Sequence, residues 1–336
     1  MIDLRELPQA ARRLTVRVAR AFILLLALGC AVTAGLALLG RFSDRLDVLA
    51  HFSLVWLAGG LVCGAAWLVD GRRHGERATG ILAAITLLAL TPLMLPEMAR
   101  GVFAQRVKPR SETLKLVQFN LSKDNPRPSR AVAWILAEDA DVVTLEEVVE
   151  STSGVPYALR QRYPYQVSCL ADLPCSTMVL SKRAPAAQGR LGMPDTGRYL
   201  SAAWMTLPGQ GGPFTVVATH MTWPVPVGPQ RYMNQRLAEA TRPFRRDSLI
   251  VGGDFNSTPW SRGLRRMDGW LGLDRRTHGL ASWPTALPRV GVKLPVPLLA
   301  IDQVYAGKSW KTVSVKRGPA LGSDHYPVVV VLTRGP

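Results

Sequence analysis

The chain has 336 residues, 48% of them hydrophobic, and a formal charge of +17 from 41 Lys and Arg against 24 Asp and Glu. It is long enough for one large domain with additional segments, and the absence of internal repeats and low-complexity tracts excludes repeat architectures. The excess of base favours anionic partners, whether nucleic acid, phospholipid headgroups or polyprenyl phosphates, without choosing among them.

No charged residue occurs over 21–40, 52–69 or 78–96. Each run approaches the roughly 20 residues that cross a 30 Å hydrocarbon core. Three such runs, separated by short charged loops, predict a membrane region over residues 1–100 with helices at those positions. Gly59, Gly60 and Gly64 lower the hydrophobicity of the second and suit close helix packing. Arg5, Arg12, Arg13, Arg17 and Arg20 precede the first span, and Arg72, Arg73 and Arg77 separate the second from the third. The first loop carries only Arg41 and Arg45, offset by Asp44 and Asp47. Basic residues stay in the cytoplasm, so this bias predicts a multi-pass protein of the cytoplasmic membrane with everything after residue 100 facing the periplasm or exterior. Arg100, Arg106, Lys108 and Arg110 run against that orientation, but large domains translocate regardless of charge. A cleaved signal peptide, with a lipoprotein-like site at Ala27-Leu28-Gly29-Cys30, is the alternative, and it leaves the domain on the same side.

Cys30 and Cys63 lie inside spans. Cys169 and Cys175 flank a five-residue loop, where an oxidising compartment favours a disulfide over two free thiols. No His or Cys cluster accompanies them, which argues against zinc.

After a linker at 101–112, a domain over 113–336 opens with a buried strand at 114–121, a helix at 129–138 and a strand at 141–145. Short strands follow at 165–167 and 177–181, then two strands at 199–207 and 214–222 joined by a glycine-rich turn. A helix at 229–245 leads to a strand at 248–252, and strands at 301–305, 312–315 and 327–332 close the domain. Many short strands with few helices suggest two packed sheets flanked by helices. No glycine-rich phosphate loop follows the first strand, which excludes a dinucleotide fold.

Several of these strands end in polar residues: Asn120, the pair Glu146 and Glu147, His220, the turn Gly252-Gly253-Asp254-Phe255-Asn256, Asp302, and Ser323-Asp324-His325. Strands that deliver carboxylates, amides and imidazoles to their ends suit a hard-metal phosphohydrolase. Oxygens hold the cation, and imidazoles handle protons and phosphate charge.

This ordered set, running from residue 116 to 325, resembles the endonuclease/exonuclease/phosphatase superfamily, the group of DNase I, the apurinic endonucleases, the bacterial sphingomyelinases and the inositol-phosphate phosphatases. The resemblance implies an α/β fold, a four-layer sandwich of two packed mixed sheets flanked by helices, with the site where the loops of both sheets meet. It implies Mg²⁺ or Mn²⁺ bound by Glu147, with Asn120 and Asp324 as further metal-side residues. Glu146 stands where the family usually has Gln, and its role stays open. Asp254 would orient and deprotonate the attacking water and Asn256 would steady phosphate or metal; their spacing of two sends both side chains to one side. His220 would contact the phosphate and help protonate the leaving oxygen. His325, paired with Asp302, would stabilise charge on the phosphate in the transition state. His51, His74 and His278 match nothing, and Trp223, Trp260 and Trp283 read as packing residues beside the motifs.

The expectation is therefore a membrane-anchored phosphodiesterase or phosphatase acting outside the cytoplasmic membrane. Three spans exceed what a tether requires, which favours a lipid-linked or headgroup phosphate as substrate. The arrangement also resembles the teicoplanin-resistance type of bacterial membrane protein. One alternative is an extracytoplasmic DNA or RNA nuclease, with a basic stripe drawn from Arg242, Arg245, Arg246, Arg265, Arg266, Arg275 and Arg276. Another is a non-catalytic scaffold that keeps the fold.

Overall fold

The computed structural model describes residues 9–72, 76–109, 112–169, 176–191, 200–287 and 291–334. The chain divides into two compact units, Met1–Pro96 with Trp260–Arg262, and Glu97–Pro259 with Gly263–Pro336.

The first unit is helical: α1 (Gln9–Leu38), α2 (Asp44–Asp47), α3 (Ser53–Ala66) and most of α4 (Arg77–Val102). Three helical stretches, Gln9–Arg41, Asp44–Gly71 and Arg77–Val102, are long and apolar enough to cross a membrane. Each contains one expected span and outruns it, because charged residues at the ends continue a helix once its middle has formed. Small residues permit close packing: Ala27, Cys63 and Ala83 form a buried cluster. Arg20 meets Asp70 at 2.7 Å, so a charge at the end of the first apolar run is paired. His74 lies outside the described residues.

The second unit holds two six-stranded sheets. The first contains β1 (Thr113–Asn120), β2 (Val142–Glu146), β3 (Tyr165–Ser168), β4 (Met178–Ser181), β11 (Trp310–Arg317) and β12 (Val328–Arg334), in the order β11-β12-β1-β2-β4-β3. The second contains β5 (Ala187–Arg190), β6 (Ser201–Leu207), β7 (Phe214–His220), β8 (Leu249–Asp254), β9 (Asp274–Arg275) and β10 (Asp302–Ala306), in the order β5-β6-β7-β8-β10-β9. Each sheet is mixed and has one parallel pair at its centre, β1 with β2 and β7 with β8.

Strand residues alternate between faces, and this sorts the core into layers. Leu114, Leu116, Val142, Val216, Ala218, Ile250, Val304 and Val330 meet between the sheets. Val117, Phe119, Val143 and Leu145 face the other way, onto α5 (Pro128–Glu138) and the short α6 (Gly154–Ala158). Val217, Val251 and Tyr305 face α7 (Val227–Ala240) and α8 (Arg262–Leu271). The result is helices, sheet, sheet, helices, the expected four-layer sandwich.

Four elements differ from the sequence reading. The helix expected at 229–245 stops at Ala240, where Pro243 follows closely and the residue before a proline avoids helical backbone. α8 was not expected, although Leu264, Met267 and Leu271 bury one face at helical spacing. The edge strands β5 and β9 are too short and polar to show a period. The disulfide expectation is met on one side: Cys169 is disulfide-bonded, Cys30 and Cys63 are free, and Cys175 lies outside the described residues.

Candidate metal and phosphate site

The facing positions of the two sheets change character along each central strand. On β1 they read Leu114, Leu116, Gln118, Asn120; on β2, Val142, Thr144, Glu146; on β7, Val216, Ala218, His220; on β8, Ile250, Gly252, Asp254. β10 runs the other way and begins at Asp302, opposite Asp254. One end of the inter-sheet core is therefore apolar and the other polar. Pairing aligns the polar ends, since Asn120 sits opposite Glu146 and His220 opposite Asp254.

Two turns redirect side chains that alternation would send elsewhere. Glu147 and Asn256 have φ of 54° and 47°, left-handed values that cost a non-glycine residue about 1–2 kcal/mol. Strict alternation would point Glu147 into the α5 and α6 layer. Instead its carboxylate accepts from Asn120 Nδ2 at 3.1 Å and from the Lys123 amide at 2.8 Å. The glycine before Asp254 is fixed by close approach: a Cβ on Gly253 would collide with the Thr219 carbonyl of β7.

Asp254 is the hub. Its carboxylate accepts from the Asn256 amide at 2.8 Å, from Asn120 Nδ2 at 3.1 Å and from Asn256 Nδ2 at 3.2 Å. Both imidazoles approach its Oδ2, His220 Nε2 and His325 Nε2 each at 3.7 Å. His325 Nδ1 lies 2.9 Å from Asp302 Oδ2, which Ser282 Oγ also engages. Ser323, beside the predicted Asp324, donates to the Asn120 carbonyl at 2.7 Å and accepts from the His325 amide, pinning that turn to β1.

The electrostatics follow from burial and charge. Burial pushes the Asp254 carboxyl up to about 7 against the pull of His325. Burial alone would lower His325, but Asp302 and Asp254 outweigh it and raise the imidazole to about 10. Asp302 stays below the usual carboxylate range despite burial, because His325 faces it and His325, Ser282 and Gln118 hydrogen-bond to it. Burial, then the Asp302 charge, push Glu146 well above the usual range. Burial lowers His220. The cluster thus favours one buried imidazolium and one neutral imidazole around a carboxylate.

The residues fit a hard divalent cation. Glu146, Glu147, Asp254 and Asp302 converge, and no Lys or Arg side chain among the described residues pairs with them. Hard cations take oxygen donors of this kind. Asp254, Asp302 and His325 bring donor atoms within 4.8 Å of one another, but Asp302 and His325 spend their facing atoms on each other. The half-buried Glu147, with Asn120 beside it, is the more open position. Asp324 is exposed and accepts from Trp283 Nε1 at 2.9 Å.

The structure therefore brings together Asn120, Glu147, His220, Asp254, Asn256, Asp302 and His325, with Asp324 on the rim. Gln118, Ser282, Ser323 and Trp283 were not among the expected site residues. Of these, only Gln118 could have been found from spacing, two residues before Asn120 on the same face. Another is Gln230 on α7, whose amide donates to the Thr222, Phe255 and Asn256 carbonyls and clasps the turn after Asp254.

The endonuclease/exonuclease/phosphatase family matches residues 117–325, the span that contains every one of these groups. The chain belongs to that family. Family members are metal-dependent phosphoester hydrolases, and this chain is an enzyme of that class. Among solved structures, an endonuclease/exonuclease/phosphatase from Beutenbergia cavernae is 22% identical, with a TM-score of 0.53, covering 67% of this chain and 72% of that one. A family protein from Bacteroides vulgatus is 17% identical, with a TM-score of 0.53, covering 67% of this chain and 100% of that one. One from Leptotrichia buccalis is 13% identical, with a TM-score of 0.52, covering 65% and 98%. At these identities the likeness concerns the fold. No curated protein matches the chain.

Proposed function

We propose that this enzyme is anchored in the cytoplasmic membrane and hydrolyses a lipid-borne phosphate ester on the outer side. The observation that carries the lipid reading is an apolar rim beside the phosphate-handling groups. Trp223, 61% exposed, packs edge-on against Trp283 at 6.2 Å, and the Trp283 ring lies 6.5 Å from His325. Trp283 and Leu299 bridge the base of an arm, and Leu287, Val292, Val296 and Leu298 along it are exposed, as is Val225 beside Trp223. The Trp223–Trp283 contact at the site rim, with exposed apolar residues on the adjoining segments, supports a binding partner that carries an apolar chain.

In this reading Asp254 accepts the proton of the attacking water, oriented by the amides of Asn120 and Asn256. His220, neutral in the free enzyme, contacts the phosphate and donates to the leaving oxygen after taking up a proton beside the substrate's negative charge. His325, held by Asp302, presents fixed positive charge to the phosphoryl group where negative charge develops. A divalent ion, Mg²⁺ or Mn²⁺, held by Glu147 with Asn120 and Asp324 would supply Lewis-acid polarisation of a phosphoryl oxygen.

The nuclease alternative needs an accessible basic stripe. Arg275 is buried in ion pairs with Glu97 and Asp268, and the Arg276 guanidinium donates to the Ala306, Gly307 and Trp310 carbonyls. Those two are structural. The test is hydrolysis by the detergent-purified full chain with Mg²⁺ or Mn²⁺, on prenyl diphosphates, phospholipids and DNA side by side. Release from a lipid substrate is expected; cleavage of DNA with inert lipids would replace this reading by the nuclease one.

A further inference from the structure

Gln118 is wholly buried between the sheets, and its side-chain amide spends both hydrogens on acids. Nε2 donates to Glu146 Oε2 at 2.8 Å within the first sheet, and to Asp302 Oδ1 at 2.8 Å in the second. Asp302 is also wholly buried, and its other oxygen, Oδ2, receives His325 Nδ1 and Ser282 Oγ. Holding Oδ1 from across the core fixes the plane of that carboxylate, and with it the direction in which Oδ2 meets the imidazole. Few side chains can do this. A lysine in the same place would neutralise Asp302 and weaken its hold on the imidazolium, whereas a carboxamide offers two donors without charge.

The arrangement is not the cheapest way to fill the space. Among the described residues, Gln118 Oε1 and Glu146 Oε1 are buried with no hydrogen-bonding group in reach, and each atom left so costs about 1–3 kcal/mol. The facing positions one and two steps down β1 are Leu116 and Leu114, which pack the same inter-sheet layer without polar atoms. A buried polar pair kept at such a cost next to reacting groups calls for a functional explanation.

We infer that Gln118, anchored on Glu146, is a positioning residue that aligns Asp302 and thereby sets the orientation of His325. The inference rests on the reading of His325 as a group facing the phosphate, and its test separates the two.

Gln118→Met keeps the length and removes the donor; Gln118→Asn keeps the donor but is one methylene too short to reach both acids. Both variants, as full chain in detergent with Mn²⁺, should hydrolyse bis(4-nitrophenyl) phosphate with kcat lowered about 10- to 100-fold, the usual effect of losing a supporting partner of a site residue. KM and the Mn²⁺ concentration for half-activation should stay unchanged. In a His325→Ala background the same substitutions should add nothing, because the residue they align is gone. An equal loss in both backgrounds, or none in either, overturns the inference. A second readout needs no turnover: in ¹⁵N-histidine-labelled protein, the low-field proton on His325 Nδ1, assigned by its loss in His325→Ala, should move upfield or broaden away in both Gln118 variants. An unchanged signal in a folded variant overturns the inference even if the diester proves to be no substrate, in which case the functional reading fails separately.

Discussion

Glu146 and Glu147 are consecutive, and they end up in different environments. Glu146 closes β2 wholly buried and accepts from Gln118; Glu147, at φ 54°, leaves the strand direction and accepts from Asn120. One left-handed residue separates a carboxyl walled into the inter-sheet core from one at the edge of the site.

The first prediction compares them. Glu147→Gln should weaken metal binding, so that activity falls at ordinary Mg²⁺ and recovers in part when Mn²⁺ is raised. Glu146→Gln should keep metal-dependent turnover within a few-fold, because an amide oxygen still accepts from Gln118. The opposite pattern, measured as metal titrations of turnover, would move the cation from Glu147 to Glu146.

Asp254→Asn preserves shape and removes the base. Turnover should fall by about 10²–10⁴-fold, the range that a positioned proton acceptor contributes. His325→Ala should cost roughly 3–4 kcal/mol of transition-state stabilisation if it acts as a preorganised donor of positive charge. Thermal unfolding of each variant beside the parent checks that the losses are chemical. Full activity of Asp254→Asn would remove it from the mechanism.

The pH dependence has a determined sign. Activity should rise as Asp254 loses its proton, near pH 7 at low metal and lower as cation is added, because positive charge favours the carboxylate. It should fall as His325 loses its proton toward about 10. Stability follows separately. His325 is raised above 6.5, so its contribution is complete below that pH and is lost as pH climbs through about 10; Asp254, raised above 3.8, contributes fully below 3.8 and loses that contribution through about 7. The chelated protein should therefore melt lower at pH 10 than at pH 6. A higher melting temperature at pH 10 would contradict both assignments.

Orientation is tested by fusion. Alkaline phosphatase joined after the last residue should be active and a cytoplasmic reporter there silent, given the arginine bias. Peptide mass spectrometry of protein taken from the envelope without reductant should find no free thiol at Cys169. The reverse reporter pattern would overturn the orientation, and with it the substrate pool proposed above.

The sequence made the candidate site residues legible because most of them sit at or beside one end of an apolar strand, and strand ends survive errors in boundaries. The layers were legible for the same reason: Leu114, Leu116 and Val142 face one side while Val117, Phe119 and Val143 face the other. What it hid depends on contacts between distant strands. Gln118 looks like one polar residue inside a buried strand until β10 is seen to bring Asp302 opposite it. Ser282 and Trp283 lie in a stretch without periodicity, and their partners Asp302 and Asp324 are 20 and 41 residues away. α8 is hard to read because its four charged residues, Arg262, Arg265, Arg266 and Asp268, outnumber the three apolar residues that anchor it.

The change from apolar to polar along the facing positions also bears on how the strands find their register. A slip of one residue would turn every side chain to the wrong face and is strongly opposed by burial. A slip of two would keep each face correct, setting Gln118 level with Glu146 in place of Asn120, and hydrophobic patterning alone scarcely resists it. What resists it is the polar end: Asn120 matched to Glu147 and Asp254, Gln118 to Glu146 and Asp302, Gly253 to the Thr219 carbonyl. The residues proposed to carry out the chemistry also tell each strand where to stop, so mutations that empty this site should loosen strand alignment as well as abolish turnover.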